Sequence, residues 1–200
     1  MKTTEVSTIR RGLTRSEIAV QGLVATAAER YGLDPSLLMA HIFAESAFNP
    51  RATYRDVDGV MSYGLGQIRM DTAVGLADQP VSPALLLEPS FNIRIMGAIV
   101  RANLDRYQGD VQSAIAAYNA GVARRDRFGR FVNSRGDPKV QGYVTKVVTA
   151  TMLYRQGVSP MRHQWARVAT TMGLPIGLAV GIGALWMLWR QLTRRPRYAA

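Results

Sequence analysis

Glu45 is the residue of this 200-residue chain best placed to do chemistry. It stands in Ala44-Glu45-Ser46-Ala47-Phe48-Asn49-Pro50, near the predicted end of a mostly apolar helix. A carboxylate there faces the negative end of the helix dipole, which disfavours its charged form. Phe43, Ala44, Ala47 and Phe48 offer desolvation if the site is buried, and both effects push a carboxyl pKa upward. A raised pKa is what protonation of a glycosidic oxygen requires. The plain alternative is a surface glutamate on an amphipathic helix. Further along, Gln67 adjoins Gly64 and Gly66, and Ala117-Tyr118-Asn119 follows. His41 lies four residues before Glu45 on the same helical face. It would tune the acid if close; a core or surface histidine is the competing reading.

Helices must position these groups. Thr14 and Glu17 form a capping-box pattern, and the helix they open ends at Gly32. Asp34 caps a second helix with Pro35 at its first position; it runs to about Ser46 and is stopped by Asn49-Pro50. Residues 50–83 are irregular and glycine-rich, with a short helix near 70–77. Helical periodicity returns from Pro89 to about Tyr107, at 111–120 behind Asp110, and at 139–156. Strand-like alternation is nearly absent, so the class predicted is all-α. The expected organisation is a flexible arm at 1–13, a helical domain at 14–157, a linker at 158–167, a transmembrane helix at 168–189 and a basic tail at 190–200.

Charge is unevenly spread. The net +11 resolves into +2 over residues 1–137, which hold all 14 acidic side chains, and nine basic groups with no acid over 138–200. A near-neutral domain with a cationic tail suggests anionic lipid headgroups as partner; nucleic acid is the competing partner for the basic tail, and a solvated face is the plain one. No charge occurs at the 22 positions between Arg167 and Arg190, enough for a helix of roughly 33 Å, the thickness of a bilayer core. Trp186 and Trp189 suit an interface, and Gly173, Gly177 and Gly181 share one smooth face open to self-association. A buried core helix is the alternative for this segment. The arginines after it mildly favour a cytoplasmic C-terminus. No secretory signal is read at the N-terminus, where Arg10, Arg11 and Arg15 precede an amphipathic run. The chain has no cysteine, and His41 and His163 show no ligand pattern, so neither metal nor cofactor is expected.

Five stretches occur in the order and approximate spacing of a known family: AESAFNP (44–50), YGLGQI (63–68), SFNIRIMG (90–97), AIAAYNAG (114–121) and GYVTKV (142–147). Over about residues 17–156 the chain resembles the lytic transglycosylase (SLT) domain, whose helical fold is lysozyme-like, akin to goose-type lysozyme. The resemblance implies that Glu45 is the catalytic acid, protonating the leaving oxygen and then acting as base on the muramoyl 6-hydroxyl. A 1,6-anhydro sugar would form without water or a second carboxylate, and no other acid sits in a comparable motif here. It implies further that Gln67 lines the sugar cleft, that Tyr118 orients or hydrogen-bonds the acid, that Asn119 contacts sugar or braces the loop, and that Tyr143 lies near the cleft; loop support for Gln67 and core packing for Tyr143 are the alternatives. Asn92 matches a residue expected to bind backbone. Gly66 departs from the family's usual methionine, which removes a side chain from the cleft wall, and TYRDVDGVMS (53–62) is longer than usual.

The activity implied is cleavage of the MurNAc-GlcNAc β-1,4 bond of peptidoglycan, with glycan strands as the partner. A goose-type hydrolase and a non-catalytic wall-binding or pore-forming protein are the alternatives. The membrane segment and the absent leader suggest a membrane-associated virion component that acts in the host envelope during phage genome delivery alongside other virion proteins. A bacterial inner-membrane enzyme facing the periplasm is the other setting. The Arg-rich stretch 124–139 would meet peptide-stem carboxylates or stand as a solvated loop.

Overall fold

The structure is a computed structural model that describes residues 12–56 and 58–162. The expected segment 168–189, its flanking tail and its glycine face lie outside the described residues. Within those residues no helix is long and apolar enough to cross a membrane.

Among the described residues the domain is carried by the helices α1 (Arg15–Tyr31), α2 (Pro35–Ser46), α3 (Met70–Leu76), α4 (Pro83–Leu87), α5 (Pro89–Arg106), α6 (Val111–Ala120) and α7 (Lys139–Arg155). The caps read from the sequence are formed. Thr14 and Glu17 close a reciprocal capping box, and Gly32 ends α1 in the left-handed region at φ 60°. Asp34 accepts from the Ser36 amide at 2.8 Å, with Pro35 opening α2. At the centre stands α2, in which six consecutive residues, Leu37 to Ile42, are buried. Such a helix is covered on every side rather than along one stripe. It packs most extensively on α7 and also on α1, among buried Ile93, Met96 and Ile115 from α5 and α6.

An all-α class needs correction, because two small antiparallel sheets interrupt the helices. β1 (Thr53–Arg55), β2 (Met61–Tyr63) and β3 (Ile68–Arg69) form a three-stranded sheet in that order, with Tyr54 opposite Ser62 and Tyr63 opposite Ile68. β4 (Arg124–Arg125) and β5 (Phe131–Val132) form a hairpin inside the Arg-rich stretch. Strands of two or three residues are too short to show alternation.

The domain also reaches past its expected ends. Leu13 is buried at one end, Ser159 and Met161 at the other. Glu17, fully buried, holds the junction. Its carboxylate accepts from the Thr14 amide at 2.6 Å, the Tyr154 hydroxyl at 2.6 Å and the Ser159 hydroxyl at 2.8 Å. A buried carboxylate is tolerated where donors surround it, and removing its charge leaves those donors mismatched. Glu17→Gln puts an amide NH2 among three donors, so a cost of about 3 kcal/mol is expected. Thermal unfolding should show Tm lower by roughly 6–12 °C; an unchanged Tm would show the network contributes nothing.

Candidate functional site

The acid sits where α2 surfaces. Residues Leu37 to Ile42 are buried, and Glu45, one turn further on, is only partly exposed. The helix stops immediately after it: Ala47 and Phe48 take left-handed φ values of 49° and 64°. Two successive non-glycine residues there cost about 1 kcal/mol or more each. The turn is held by the burial of Phe48, whose ring meets the edge of Tyr154 at 6.5 Å between centroids, and by the Asn49 amide donating to the Ser46 carbonyl at 3.1 Å.

The group that holds the acid is Tyr143, not Tyr118. From α7 the Tyr143 hydroxyl donates to Glu45 Oε1 at 2.5 Å, a short hydrogen bond. The same hydroxyl lies 3.0 Å from His41 Nδ1, so it bridges two side chains one turn apart on α2. Tyr118, expected to orient the acid, instead donates to the Gly66 carbonyl at 2.8 Å and lays its ring against His41, 4.5 Å between centroids. Its part is to join the Gly-Leu-Gly-Gln loop to the histidine. The roles reverse because GYVTKV lies on α7, the helix packed along α2.

Gln67 is partly exposed and also has a bracing duty. At φ 47° it donates from Nε2 to the carbonyls of Gly64, 2.9 Å, and Ala52, 3.1 Å. Both amide hydrogens are then engaged, which leaves Oε1 as the polar atom for a ligand. The loop is fixed from behind by Asn92, 1 % exposed on α5. It accepts from the Gly66 amide at 2.7 Å and donates to the carbonyls of Leu86, 2.7 Å, and Tyr63, 2.8 Å. A Cβ on Gly64, at φ 73°, would fall 2.5 Å from Asn92 Nδ2. A Cβ on Gly66 would stand 3.0 Å from the Tyr118 hydroxyl and 3.1 Å from Ile68 and Met96. Position 66 is therefore packed inward rather than being a gap in an open wall. Asn119 is exposed on the last turn of α6, about 100° around the helix from Tyr118, and among the described residues it is no member of this hydrogen-bonded group.

Lys146, unflagged in the sequence, completes the surroundings. One turn beyond Tyr143, its ammonium donates to the Ala44 carbonyl at 2.9 Å, one of the carbonyls left over at the end of α2, and lies 5.0 Å from the Phe43 ring centroid. The i, i+3 spacing of Tyr143 and Lys146 was its available signal.

Burial decides the electrostatics. It raises the Glu45 pKa from an ordinary 4.5 to about 7, against the Tyr143 hydrogen bond and the charge of Lys146, with the Asp56 carboxylate adding to the rise. Burial also lowers His41 to about 3 and raises both Tyr118 and Tyr143 far above the usual phenol range. Tyr143, which bonds the acid, and His41 and Tyr118 behind it are thus neutral, and burial outweighs the charge of Lys146, as a general acid near neutral pH requires. Asp56, the carboxylate whose charge it feels, pairs with Arg69 at 3.0 Å, and Arg69 also binds Asp58 at 3.0 Å and Asp71 at 2.7 Å.

The family described as "Transglycosylase SLT domain" matches residues 22–141. The membrane-bound lytic murein transglycosylase C of Yersinia enterocolitica is 34 % identical over 114 residues, 50 % of this chain and 30 % of that protein. Its counterpart in Serratia proteamaculans is 29 % identical over 160 residues, 73 % of this chain and 43 % of that protein. The solved 70-kDa soluble lytic transglycosylase in complex with bulgecin A superposes with a TM-score of 0.60 at 27 % identity, covering 71 % of this chain and 25 % of that one. The chain thus spans less than half the length of these relatives. A mostly helical lysozyme-like fold, with the five motifs inside or bordering the matched stretch, leads to one assignment: this chain belongs to the SLT transglycosylase domain family.

Proposed function

We propose that the domain is a peptidoglycan lytic transglycosylase. The observation that carries this reading is one enclosed carboxyl, with its pKa near 7, held by a neutral tyrosine. Glu45 gives its proton to the glycosidic oxygen between MurNAc and GlcNAc, freeing the GlcNAc hydroxyl as the C1–O4 bond breaks. The carboxylate then takes the proton of the muramoyl 6-hydroxyl as O6 bonds to C1. The acid is regenerated, no water is consumed, and the product is a 1,6-anhydro sugar. Gln67 Oε1 and the exposed Asn119 amide are the polar groups this reading assigns to the glycan. Mass spectrometry of digested wall tests it: anhydro-ended fragments are expected, and reducing ends alone sink it.

Asp56 supports a second reading, a goose-type hydrolase in which that carboxylate activates water. Its engagement with Arg69 argues for a structural duty instead. Loss of activity in Asp56→Asn together with reducing-end products would favour the hydrolase.

Because the proton donor must be protonated, kcat/KM should fall about tenfold per pH unit above about 7. A profile flat from pH 6 to about 9 would remove Glu45 from the proton transfer.

The finer setting is also ours to propose. Residues 168–189 anchor the domain in a bilayer, the stretch 163–167 after the packed residues Ser159 and Met161 links it, and the protein is carried in a phage virion to open the wall locally during genome delivery. The uncharged 22-residue stretch and its basic flanks support this. Capsid and tail genes beside this one are expected; a cell-wall operon there would place it in the bacterial envelope.

A further inference from the structure

We propose that His41 is a positioning residue, whose Nδ1–H donates to the Tyr143 hydroxyl and thereby fixes the phenolic hydrogen on Glu45 Oε1, reserving Oε2 for the sugar. This deepens the transglycosylase reading and rests on Glu45 being its acid.

Hydrogen counting fixes the direction of donation. A phenol has one hydrogen to give and an oxygen that accepts. The Tyr143 hydroxyl stands 2.5 Å from Glu45 Oε1 and 3.0 Å from His41 Nδ1. With its hydrogen on the glutamate side, it must accept from the histidine, so Nδ1 carries hydrogen and Nε2 does not. In the other tautomer Nδ1 would be an acceptor and would draw the phenolic hydrogen away from the acid. The direction of donation therefore runs one way, from imidazole to phenol to carboxyl.

The chain also determines which carboxyl oxygen works. Oε1 accepts from Tyr143 both before and after proton transfer, so the mobile proton is left to Oε2. Donation into the phenol oxygen polarises its O–H bond and strengthens its bond to the carboxylate. That opposes the desolvation that raises the acid, so His41 helps set how far the pKa rises. The imidazole is 1 % exposed, with the Tyr118 ring against it, and burial keeps it neutral. Charged and titratable groups facing the acid are Tyr143 and Lys146 from α7, Tyr118 from α6, and Asp56 from the β1–β2 turn. None of them occupies the place of His41 behind the Tyr143 hydroxyl.

Two substitutions isolate the effect. His41→Leu removes the donor; His41→Asn keeps a nitrogen donor near the position of Nδ1. In the full chain, 15N shifts of His41 should show hydrogen on Nδ1 and none on Nε2. A 13C titration of the Glu45 carboxyl should move upward by about half to one pH unit in His41→Leu, with kcat lower by roughly tenfold and KM nearly unchanged. His41→Asn should restore both. An Nε2–H tautomer overturns the proposal. So does a His41→Leu protein with wild-type titration, or equal loss in Leu and Asn variants with the titration unmoved, which would mean packing alone. Should His41→Leu not fold, His41→Gln replaces it, since glutamine places its nitrogen near Nε2 rather than Nδ1. Equal titrations for His41→Gln and His41→Asn would then overturn the proposal. The carboxyl titration needs no substrate. A wild-type protein that releases no anhydro sugar would sink the transglycosylase reading and leave this measurement standing.

Discussion

Glu45→Gln is expected to lower wall-clearing activity by roughly 10³-fold or more and, in the same protein, to raise Tm at pH 8. Both effects come from the enclosed carboxyl. Its folded-state pKa is about 7 against an ordinary 4.5. A group raised in this sense contributes stability that is fully present below about 4.5 and lost as pH climbs through about 7. At pH 8 the native state carries a charge its surroundings disfavour, at a cost of up to about 3 kcal/mol. Glutamine is neutral throughout and keeps a carbonyl oxygen to accept from Tyr143. Calorimetry should therefore show a gain of up to roughly 10 °C at pH 8 and little change at pH 4. Equal shifts at both pH values would trace the gain to packing rather than to the charge. Undiminished clearing would remove Glu45 from the chemistry.

Asn92→Ala should be the most damaging change away from the acid. The side chain satisfies the Gly66 amide and the Tyr63 and Leu86 carbonyls, bonds of 2.7–2.8 Å. Truncation leaves three polar backbone groups without their partner, a penalty of about 3–5 kcal/mol. Activity should fall beyond what lost stability explains, because the same loop presents Gln67 and supplies the carbonyl that holds Tyr118. Measured well below Tm, kcat should drop about tenfold or more. A variant that melts early yet keeps full kcat at low temperature would confine Asn92 to folding.

The helices were legible because each carries its own punctuation. Thr14 with Glu17, Asp34 with Pro35, Asp110 and Gly32 all cap as their types require. The hairpins were not, since two-residue strands have no period. Two of their turns, and a third reversal after β5, did carry a local signal. Asp56 and Gly59, Asp126 and Gly129, and Asn133 and Gly136 close the same way. The glycine amide donates to the carbonyl three residues back, and the first residue's amide donates to the carbonyl four residues on. Aspartate or asparagine followed three residues later by a glycine of positive φ marks such a reversal. In the candidate site, Glu45 could be read from its helix end and its motif. The exchange of roles between Tyr118 and Tyr143 could not, because it depends on which helix lies along α2. His41 was visible as a neighbour of the acid by spacing, but its link passes through a residue 102 positions away.

The closure at Glu17 has a geometric consequence for anything fused to this domain. Gly12 sits so near the Gly157 carbonyl that a Cβ there would come within 2.2 Å, and Arg162 donates to the Leu13 carbonyl at 3.1 Å. Chain leaving in either direction departs from one spot. Whatever is attached before or after it, the domain hangs from a single pivot instead of being gripped at two opposite poles. The same adjacency allows circular permutation: a short linker joining residues 12 and 162, with new ends opened at the exposed Gly109 turn, would leave the helices around Glu45 in place.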